Sequence, residues 1–208
     1  MAPELDLDTR LRNPPTQARS RERLRRVLDA ADQILARDGA GAFTTTRIAR
    51  VAGVPVGSVY RYFPDKEAIV EALAMRYWTE FADLVAAAAE LDEQAPMPDP
   101  AAGVLEALAS AFRGRPGFLA LWYGGLRSEQ IRDATRPTRE AIAASVERIL
   151  AVHWPGAPAR DRAAAARMVV VAGDGLLREA FRTSRRGDEQ LLAESRLMLG
   201  AYVRARLG

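Results

Sequence analysis

Apolar residues recur at helical spacing along nearly the whole chain of 208 residues. Between residues 24 and 35 they fall at positions i, i+3, i+4 and i+7, the pattern of a helix with one buried face. No segment shows the sustained alternation that a half-buried strand requires. Prolines, glycines and short polar runs separate the helical segments. The sequence therefore predicts an all-α fold of about nine helices.

Composition excludes several kinds of functional site. The chain has no cysteine and one histidine, His153, which excludes disulfide scaffolds, zinc fingers, cysteine nucleophiles and metal sites with several histidines. A glycine-rich phosphate loop and a paired acid motif are also lacking. We therefore expect no metal, no cofactor and no enzymatic activity. No apolar run is long enough to span a membrane and the N-terminus lacks a secretory signal, so we expect a cytoplasmic protein with no membrane contact.

Positive charge is concentrated near the N-terminus. Residues 1–66 carry 12 Lys and Arg against 8 Asp and Glu, whereas the whole chain has a net charge of only +3. Residues 10–26 alone hold seven arginines and one glutamate. A basic end on a near-neutral body indicates contact with a polyanion, nucleic acid first. A solvated arginine-rich face is the alternative, because arginine replaces lysine almost throughout the chain.

The segment 44–66, TTTRIARVAGVPVGSVYRYFPDK, carries the most informative motif. Thr44 can accept a hydrogen bond from a free first-turn amide, which predicts the start of a short helix. Gly53 permits a tight turn into a second short helix, and together they make a helix-turn-helix. Val59 and Phe63, four residues apart, are predicted to face the core. The other positions form a predicted outer face: Val56, Gly57, Ser58, Tyr60, Arg61 and Tyr62.

That outer face suits DNA. Its small front lets a helix backbone approach the major groove, and hydroxyl and guanidinium groups can reach base edges or phosphates. An ordinary helical hairpin is the alternative, but the combination of a small front with Tyr-Arg-Tyr behind it favours DNA recognition.

The motif resembles the DNA-binding domain of the tetracycline-repressor (TetR) family of bacterial transcription regulators. The resemblance rests on T-x-x-x-I-A-x-x-A-G-V from Thr44 and G-S-V-Y-x-Y-F-x-x-K-E-x-I from Gly57. It implies a homodimer of nine-helix subunits, with DNA-binding and ligand-binding domains. We expect a disordered basic tail over residues 1–19, a helix-turn-helix DNA-binding domain over 20–66 and a C-terminal ligand-binding and dimerisation domain over 67–208.

The resemblance also implies residue roles. Pro55 departs from the family pattern, which often has a capping serine or threonine there, and proline cannot cap through its side chain. The arginines at 19, 21, 23 and 25 either reach phosphates or form a solvated arm. The implied DNA contacts are Thr45, Thr46, Tyr60, Tyr62 and Lys66 to phosphates, and Val56, Gly57, Ser58 and Arg61 to bases.

For the C-terminal part, the resemblance implies a small-molecule cavity and dimerisation through the last two helices. Core packing is the alternative for each candidate ligand contact, although a carboxylate inside an apolar helix, such as Asp174, needs a partner, a cavity or solvent. Few polar groups are present, which favours an apolar or aromatic effector over a sugar phosphate. The candidate ligand contacts are Phe118, Trp122, Tyr123, His153 and Asp174.

Two features favour a dimer interface near the C-terminus. The predicted helix 159–184 is rich in small residues, which allow close helix approach. Packing within one subunit is the alternative for both helices. The last helix offers an apolar set: Leu191, Leu192, Leu199, Tyr202 and Val203.

The leading hypothesis is a ligand-responsive transcriptional repressor. It would bind a palindromic operator in double-stranded DNA as a homodimer and be released by a small apolar or aromatic effector. One alternative is an effector-independent regulator or an activator of the same fold. Another is an all-α small-molecule-binding protein or enzyme.

Overall fold

The computed structural model of the chain describes residues 18–123 and 129–208. These residues form α-helices and one short 3-10 turn, without a strand in either range, which confirms the predicted all-α class. The predicted tail lies outside the described residues up to position 17, and Ala18 already begins the first helix. None of the helices in the two ranges is long and apolar enough to cross a membrane.

Ten α-helices lie in the described ranges. Their bounds are α1 Ala18–Asp38, α2 Thr45–Ala52, α3 Val56–Tyr62, α4 Lys66–Gln94, α5 Pro100–Gly114, α6 Pro116–Tyr123, α7 Glu129–Ala134, α8 Arg136–His153, α9 Ala159–Phe181 and α10 Glu189–Leu207.

Capping residues set several helix ends. The side chains of Thr44, Asp65 and Asp188 each accept a hydrogen bond from the backbone amide three residues later, at 3.3, 2.7 and 3.0 Å. Each cap satisfies an amide that the first helical turn leaves free, as predicted for Thr44. Gly53 ends α2 in the left-handed region at φ 63°, where a residue with a Cβ is strained.

One predicted helix is two helices in the structure. The sequence predicts one helix over residues 128–153, and Pro137 within it predicts a kink or a helix boundary. In the structure α7 ends at Ala134 and α8 begins at Arg136. Proline has no amide to donate to the carbonyl of Asp133, so a continuous helix would lose a hydrogen bond there. This break accounts for a tenth helix where about nine were expected.

The first of two structural units comprises residues up to Tyr77 and 115–135. In it α1 packs against α2 and α6. The Tyr77 hydroxyl donates to Asp32 Oδ1 at 2.5 Å, and a Cβ on Gly117 would overlap that carboxylate, so glycine lets α6 approach α1 closely. The predicted apolar face of α1 is buried in full: Leu24, Val27, Leu28, Ala31, Ile34 and Leu35.

The second unit comprises residues 78–114 and 136–208. Here α9 packs against both α8 and α10. The core holds a row of aromatic rings, in which the Phe112 centroid is 5.4 Å from Phe81 and 5.5 Å from Phe181. Helix α4 supplies residues to both units, and the predicted domain boundary after Lys66 stays a prediction.

Candidate nucleic-acid interface

Helix α3 directs its small and polar residues outward. Val59 and Phe63 are fully buried, as predicted, and fix the helix to its core. Ser58 is partly exposed, whereas Val56, Gly57, Tyr60 and Arg61 are exposed. A Cβ placed on Gly57 would meet nothing within 4 Å, so the front of α3 is open. A double helix could therefore approach the backbone closely at this point.

Pro55 supplies no side-chain cap to α3. Its carbonyl instead accepts a hydrogen bond from the Ser58 amide at 2.8 Å, which closes the first turn. Proline also holds φ near the value that a helix entry needs. The helix begins at Val56 in spite of the missing cap.

Tyr62 is the exception to the predicted outer face. Its side chain is buried, with 3% exposure, because it lies three residues after Val59 and therefore on the same side of the helix. Its hydroxyl accepts a hydrogen bond from Arg61 Nη2 at 3.3 Å. Burial raises the pKa of Tyr62, but hydrogen bonds with Ser20 and Arg61 outweigh it and lower the pKa below the ordinary 10.0. The ring therefore belongs to the core, and only its hydroxyl takes part in a polar cluster.

The predicted phosphate contacts on α2 and α3 lie side by side. The hydroxyls of Tyr60 and Thr45 are 3.1 Å apart, which joins the start of α2 to the outer face of α3. Thr46 is exposed next to them. The Lys66 ammonium is 4.0 Å from the Glu67 carboxylate, at the limit for an ion pair and half exposed. Such an exposed pair contributes little and leaves the lysine available to a phosphate.

Arg26 is a positioning residue that the sequence analysis missed. Its Nη2 donates to the carbonyls of Ala52 at 2.5 Å and Gly53 at 3.2 Å, where α2 ends. A guanidinium is favourable there because the last carbonyls of a helix carry partial negative charge. Arg26 precedes the buried Ala30 by four residues and so lies at the edge of the buried face of α1. The four-residue spacing from Ala30 could have indicated this position, but the sequence analysis counted Arg26 only among the arginines of residues 10–26.

The other arginines of α1 are exposed. Arg19, Arg21 and Arg23 lie on its surface, and Arg25 pairs with Glu22 on the same helix. Their part in phosphate contact stays a prediction.

The second unit contains an apolar cavity of about 40 Å³. Three aromatic rings line it, those of Trp78, Phe81 and Phe112, together with aliphatic side chains from α5, α8 and α9. Asp174 is the one ionisable residue among the described lining residues. Its Oδ2 accepts hydrogen bonds from Arg178 Nη2 at 2.8 Å and, more weakly, from Arg139 Nη2 at 3.5 Å. The arrangement can hold an apolar group beside a charged cluster.

Two family models match the chain. One, described as Tetracyclin repressor-like, C-terminal domain, matches residues 96–202. The other, described as Bacterial regulatory proteins, tetR family, matches residues 27–73. The chain belongs to the tetR family of bacterial regulatory proteins. It is a helix-turn-helix, DNA-binding transcription regulator with a ligand-binding C-terminal domain.

Individual relatives agree with this membership. An uncharacterized HTH-type transcriptional regulator of Bacillus subtilis (strain 168), YvkB, is 42% identical over 53 residues, 26% of this chain and 28% of YvkB, so the match spans little more than a quarter of that relative. A TetR-family transcriptional regulator structure from Streptomyces coelicolor is 28% identical, with a TM-score of 0.63 over 89% of this chain and 99% of that one. The multidrug binding protein EbrR, complexed with imidazole, is 26% identical, with a TM-score of 0.59 over 85% and 94%.

The five predicted ligand contacts of the tetR-family regulator are divided between the two structural units. Asp174 lines the apolar cavity, but His153 Nε2 lies 3.1 Å from both carboxylate oxygens of Asp92 and lines a separate open pocket. Phe118 and Trp122 are buried in the first unit with centroids 5.4 Å apart. Tyr123, the fifth predicted contact, is exposed in the same unit.

The sequence analysis missed Trp78, which lines the apolar cavity, and Arg139, which contacts Trp78 and Asp174. The Arg139 guanidinium lies 5.0 Å from the centroid of the Trp78 ring and also reaches Asp174. Trp78, Arg139 and Asp174 come from three separate helices, α4, α8 and α9. No local spacing could have linked them.

The apolar set predicted for the last helix is largely internal. Leu192, Leu199 and Val203 are buried, so for them the alternative of packing within one subunit is correct. A different set is exposed on the same pair of helices: Met168 and Val171 on α9, with Leu197 and Met198 on α10.

Proposed function

We propose that the chain is a ligand-responsive repressor that binds a palindromic operator as a homodimer and catalyses no reaction. One observation carries the proposal: α3 presents an open front at Gly57, flanked by the exposed Tyr60 and Arg61. An apolar or bulky helix front would keep a DNA backbone and base edges at a distance. Membership of a family of regulators supports the same conclusion.

The proposed base contacts are made by the front and side of α3. Ser58 and Arg61 donate to base edges, and Gly57 lets the helix sit deep in the groove. The Tyr62 hydroxyl holds the neighbouring guanidinium, whose Cζ lies 5.3 Å from the Tyr62 ring centroid. Tyr62 therefore acts by orienting Arg61, through its hydroxyl and the face of its ring.

The proposed phosphate contacts lie at the start of α2 and the end of the motif. Thr45 and Tyr60 already pair through their hydroxyls, and both oxygens can turn to one phosphate. Thr46 and Lys66 contact neighbouring phosphates. Such contacts fix the register of the protein on the duplex and make its affinity depend on salt.

The exposed apolar residues of α9 and α10 form the proposed dimer face. Val171 is 64% exposed and Leu197 62%, which is unusual for large apolar side chains on adjacent helices. Burying them against a second copy removes apolar area from water at about 25 cal/mol per Å². A two-fold dimer has the symmetry of a palindromic operator with two half-sites.

The apolar cavity is the proposed effector site. EbrR, which is described as a multidrug binding protein complexed with imidazole, supports the binding of a small molecule by this chain. An effector releases the operator only if it binds the free conformation more tightly than the DNA-bound one. The apolar lining supports an apolar or aromatic body.

Selection from random duplexes tests the proposal. The purified chain is expected to enrich one palindromic sequence and to bind it at about 150 mM salt at least about a thousandfold more tightly than a scrambled duplex. In vitro transcription from a promoter containing that sequence is expected to fall as protein is added. Failure to enrich any sequence would overturn the proposal, and a rise in transcription would make the regulator an activator.

A further inference from the structure

We propose that Val56 gives the regulator a preference for thymine, through contact with the C5-methyl group of one thymine in each operator half-site. This inference rests on the proposed function, because it names the chemistry of one contact made by the same face of α3. Hydrogen bonds from Ser58 and Arg61 account for the polar part of that face. Val56 is the part that they leave unexplained.

The start of α3 is apolar and exposed. Val56 is the first residue of the helix and 36% exposed, whereas Val59 and Tyr62 of the same helix are buried. Pro55 before it is exposed as well, and Gly57 after it has no side chain. No side chain therefore offers a hydrogen-bond donor or acceptor in α3 before Ser58.

Val56 is next to groups that the proposed function places on DNA. Tyr60 follows it by four residues, so both lie on the same side of α3. The Tyr60 hydroxyl is 3.1 Å from that of Thr45, and this pair is a proposed phosphate contact. Val56 is therefore placed at the protein–DNA interface, one turn from a phosphate contact.

A valine needs close approach to contact a base, because its methyl groups extend only one bond beyond Cβ. Gly57 provides the room for that approach. A Cβ placed there would meet nothing within 4 Å, so the neighbouring position does not hold a duplex away from Val56. Apolar contact requires heavy atoms within about 4.5 Å, which this open front allows.

Thymine is the complementary base for an apolar side chain in the major groove. Among the four standard bases it alone presents a methyl group there, while the others present hydrogen-bond donors and acceptors. Contact between the valine and that methyl group removes apolar surface from water. Contact with a cytosine amino group or a guanine carbonyl would leave a polar group without its partner. Val56 is therefore expected to favour thymine and to disfavour a G·C pair.

Deoxyuridine probes the methyl group alone, because it pairs with adenine as thymine does and lacks only that group. The operator selected from random duplexes is remade with each thymine replaced in turn. Fluorescence anisotropy on the full chain is expected to show one position per half-site where the replacement weakens binding about fourfold, the factor for one buried methyl-sized group. Replacement in both half-sites should weaken binding about sixteenfold.

Val56→Ala tests whether the valine makes the contact. The variant should bind the thymine operator more weakly, and deoxyuridine at the sensitive position should then change its affinity by less than about twofold per half-site. Such non-additivity is the mark of two groups in contact. Alanine is the better helix former and the site is exposed, so α3 should stay folded. Circular dichroism checks this.

Methylated cytosine provides the restoring test. Cytosine at the sensitive position should weaken binding, and 5-methylcytosine should restore about fourfold per half-site in the unaltered chain. The same methylation should restore little in Val56→Ala.

Val51→Ala is the matched control. Val51 is also exposed, at 44%, but belongs to α2 and lies about 140° around that helix from the proposed phosphate contact Thr46. This variant should keep the full fourfold response to deoxyuridine.

Two results would overturn the inference and keep the proposed function. One is an enriched palindrome whose binding is unchanged by deoxyuridine at every thymine. The other is a deoxyuridine effect that stays complete in Val56→Ala, which would assign the methyl contact to another residue. Failure to enrich any sequence would overturn the proposed function and this inference together.

Discussion

The proposed DNA-reading face and the proposed effector cavity are built in opposite ways. The face comes from one stretch of chain, Thr45 to Lys66, in which the position of each residue on its helix mainly decides where its side chain points. The polar end of the cavity joins Trp78, Arg139 and Asp174 from three separate helices. A local motif fixes its own chemistry, whereas the cavity depends on how the helices pack.

This difference has a consequence for substitutions. A change at Gly57 on the outer face of α3 should hinder the approach of DNA and leave the subunit intact, because a Cβ there would meet nothing within 4 Å. A change in the second unit should act on packing or assembly, since its residues contact other helices.

The largest effect is expected from Gly57→Glu. The side chain blocks the close approach of α3 to DNA and its carboxylate repels phosphates, so operator affinity should fall to the non-specific level, roughly a thousandfold. Fluorescence anisotropy with a labelled operator measures it. Helicity and sedimentation should be unchanged, since glycine is a poor helix residue.

Gly114→Glu is the control for charge. Gly114 ends α5, and a Cβ there would also meet nothing within 4 Å. This variant should bind the operator like the unaltered chain. If the two variants lost affinity equally, net charge rather than the α3 face would explain the result.

A smaller effect is expected from an arginine in the proposed dimer face. Val171→Arg or Leu197→Arg should place a charge in a desolvated interface, shift sedimentation to the monomer and weaken operator binding about a hundredfold. Leu91→Arg is the matched control, because Leu91 is equally exposed, at 66% against 62% for Leu197, but lies on α4. Dimers that persist in both face variants would place the interface elsewhere.

Arg26→Ala tests how strongly the helix-turn-helix motif depends on a residue outside it. Without the guanidinium, the carbonyls of Ala52 and Gly53 lose their donor and the turn before α3 loosens. Operator affinity should fall about tenfold, while affinity for a scrambled duplex falls far less.

Arg25→Ala removes the same charge from the adjacent position of α1, where the arginine pairs only with Glu22 among the contacts described. It should lower affinity for operator and scrambled duplex by the same small factor. If Arg26→Ala behaved like this control, Arg26 would act through charge and would not position the motif.

Sequence reasoning succeeded where a pattern stays within one helix. The buried face of α1 and the caps at Thr44, Asp65 and Asp188 follow from local spacing and side-chain chemistry. Tyr62 was misplaced because only the four-residue step from Val59 was used, and the three-residue step lies on the same face.

The cavity could not be predicted from the sequence, for a physical reason. Asp174 was recognised as a carboxylate that needed a partner, but its partners depend on the packing of α8 against α9. Arg178 is one turn away on the same helix and could have been inferred from spacing. Arg139 could not, because no local rule links positions 35 residues apart.

Glu106→Gln tests the ion pairs that join α5 to α10, and its effect on stability is expected to be the smallest of these changes. Glu106 accepts hydrogen bonds from Arg113 at 2.8 Å and Arg196 at 2.5 Å. The Arg113 hydrogen bond is the main cause that lowers the pKa of Glu106 below its ordinary 4.5, against partial burial, which raises it. The pairs are half exposed, so the variant should lower Tm at pH 7 by only about 1–3 °C.

The pH dependence of that difference gives the decisive measurement. Because the folded pKa of Glu106 lies below the unfolded one, its stabilisation is complete above about pH 4.5 and is lost as the pH falls through the folded pKa. The Tm difference should therefore disappear in acid. Glu90→Gln removes an exposed carboxylate of α4 for which the described residues show no ion pair, and should leave Tm unchanged at both pH values. A Glu106→Gln deficit that persists below the folded pKa would mean that the side chain stabilises through packing rather than charge.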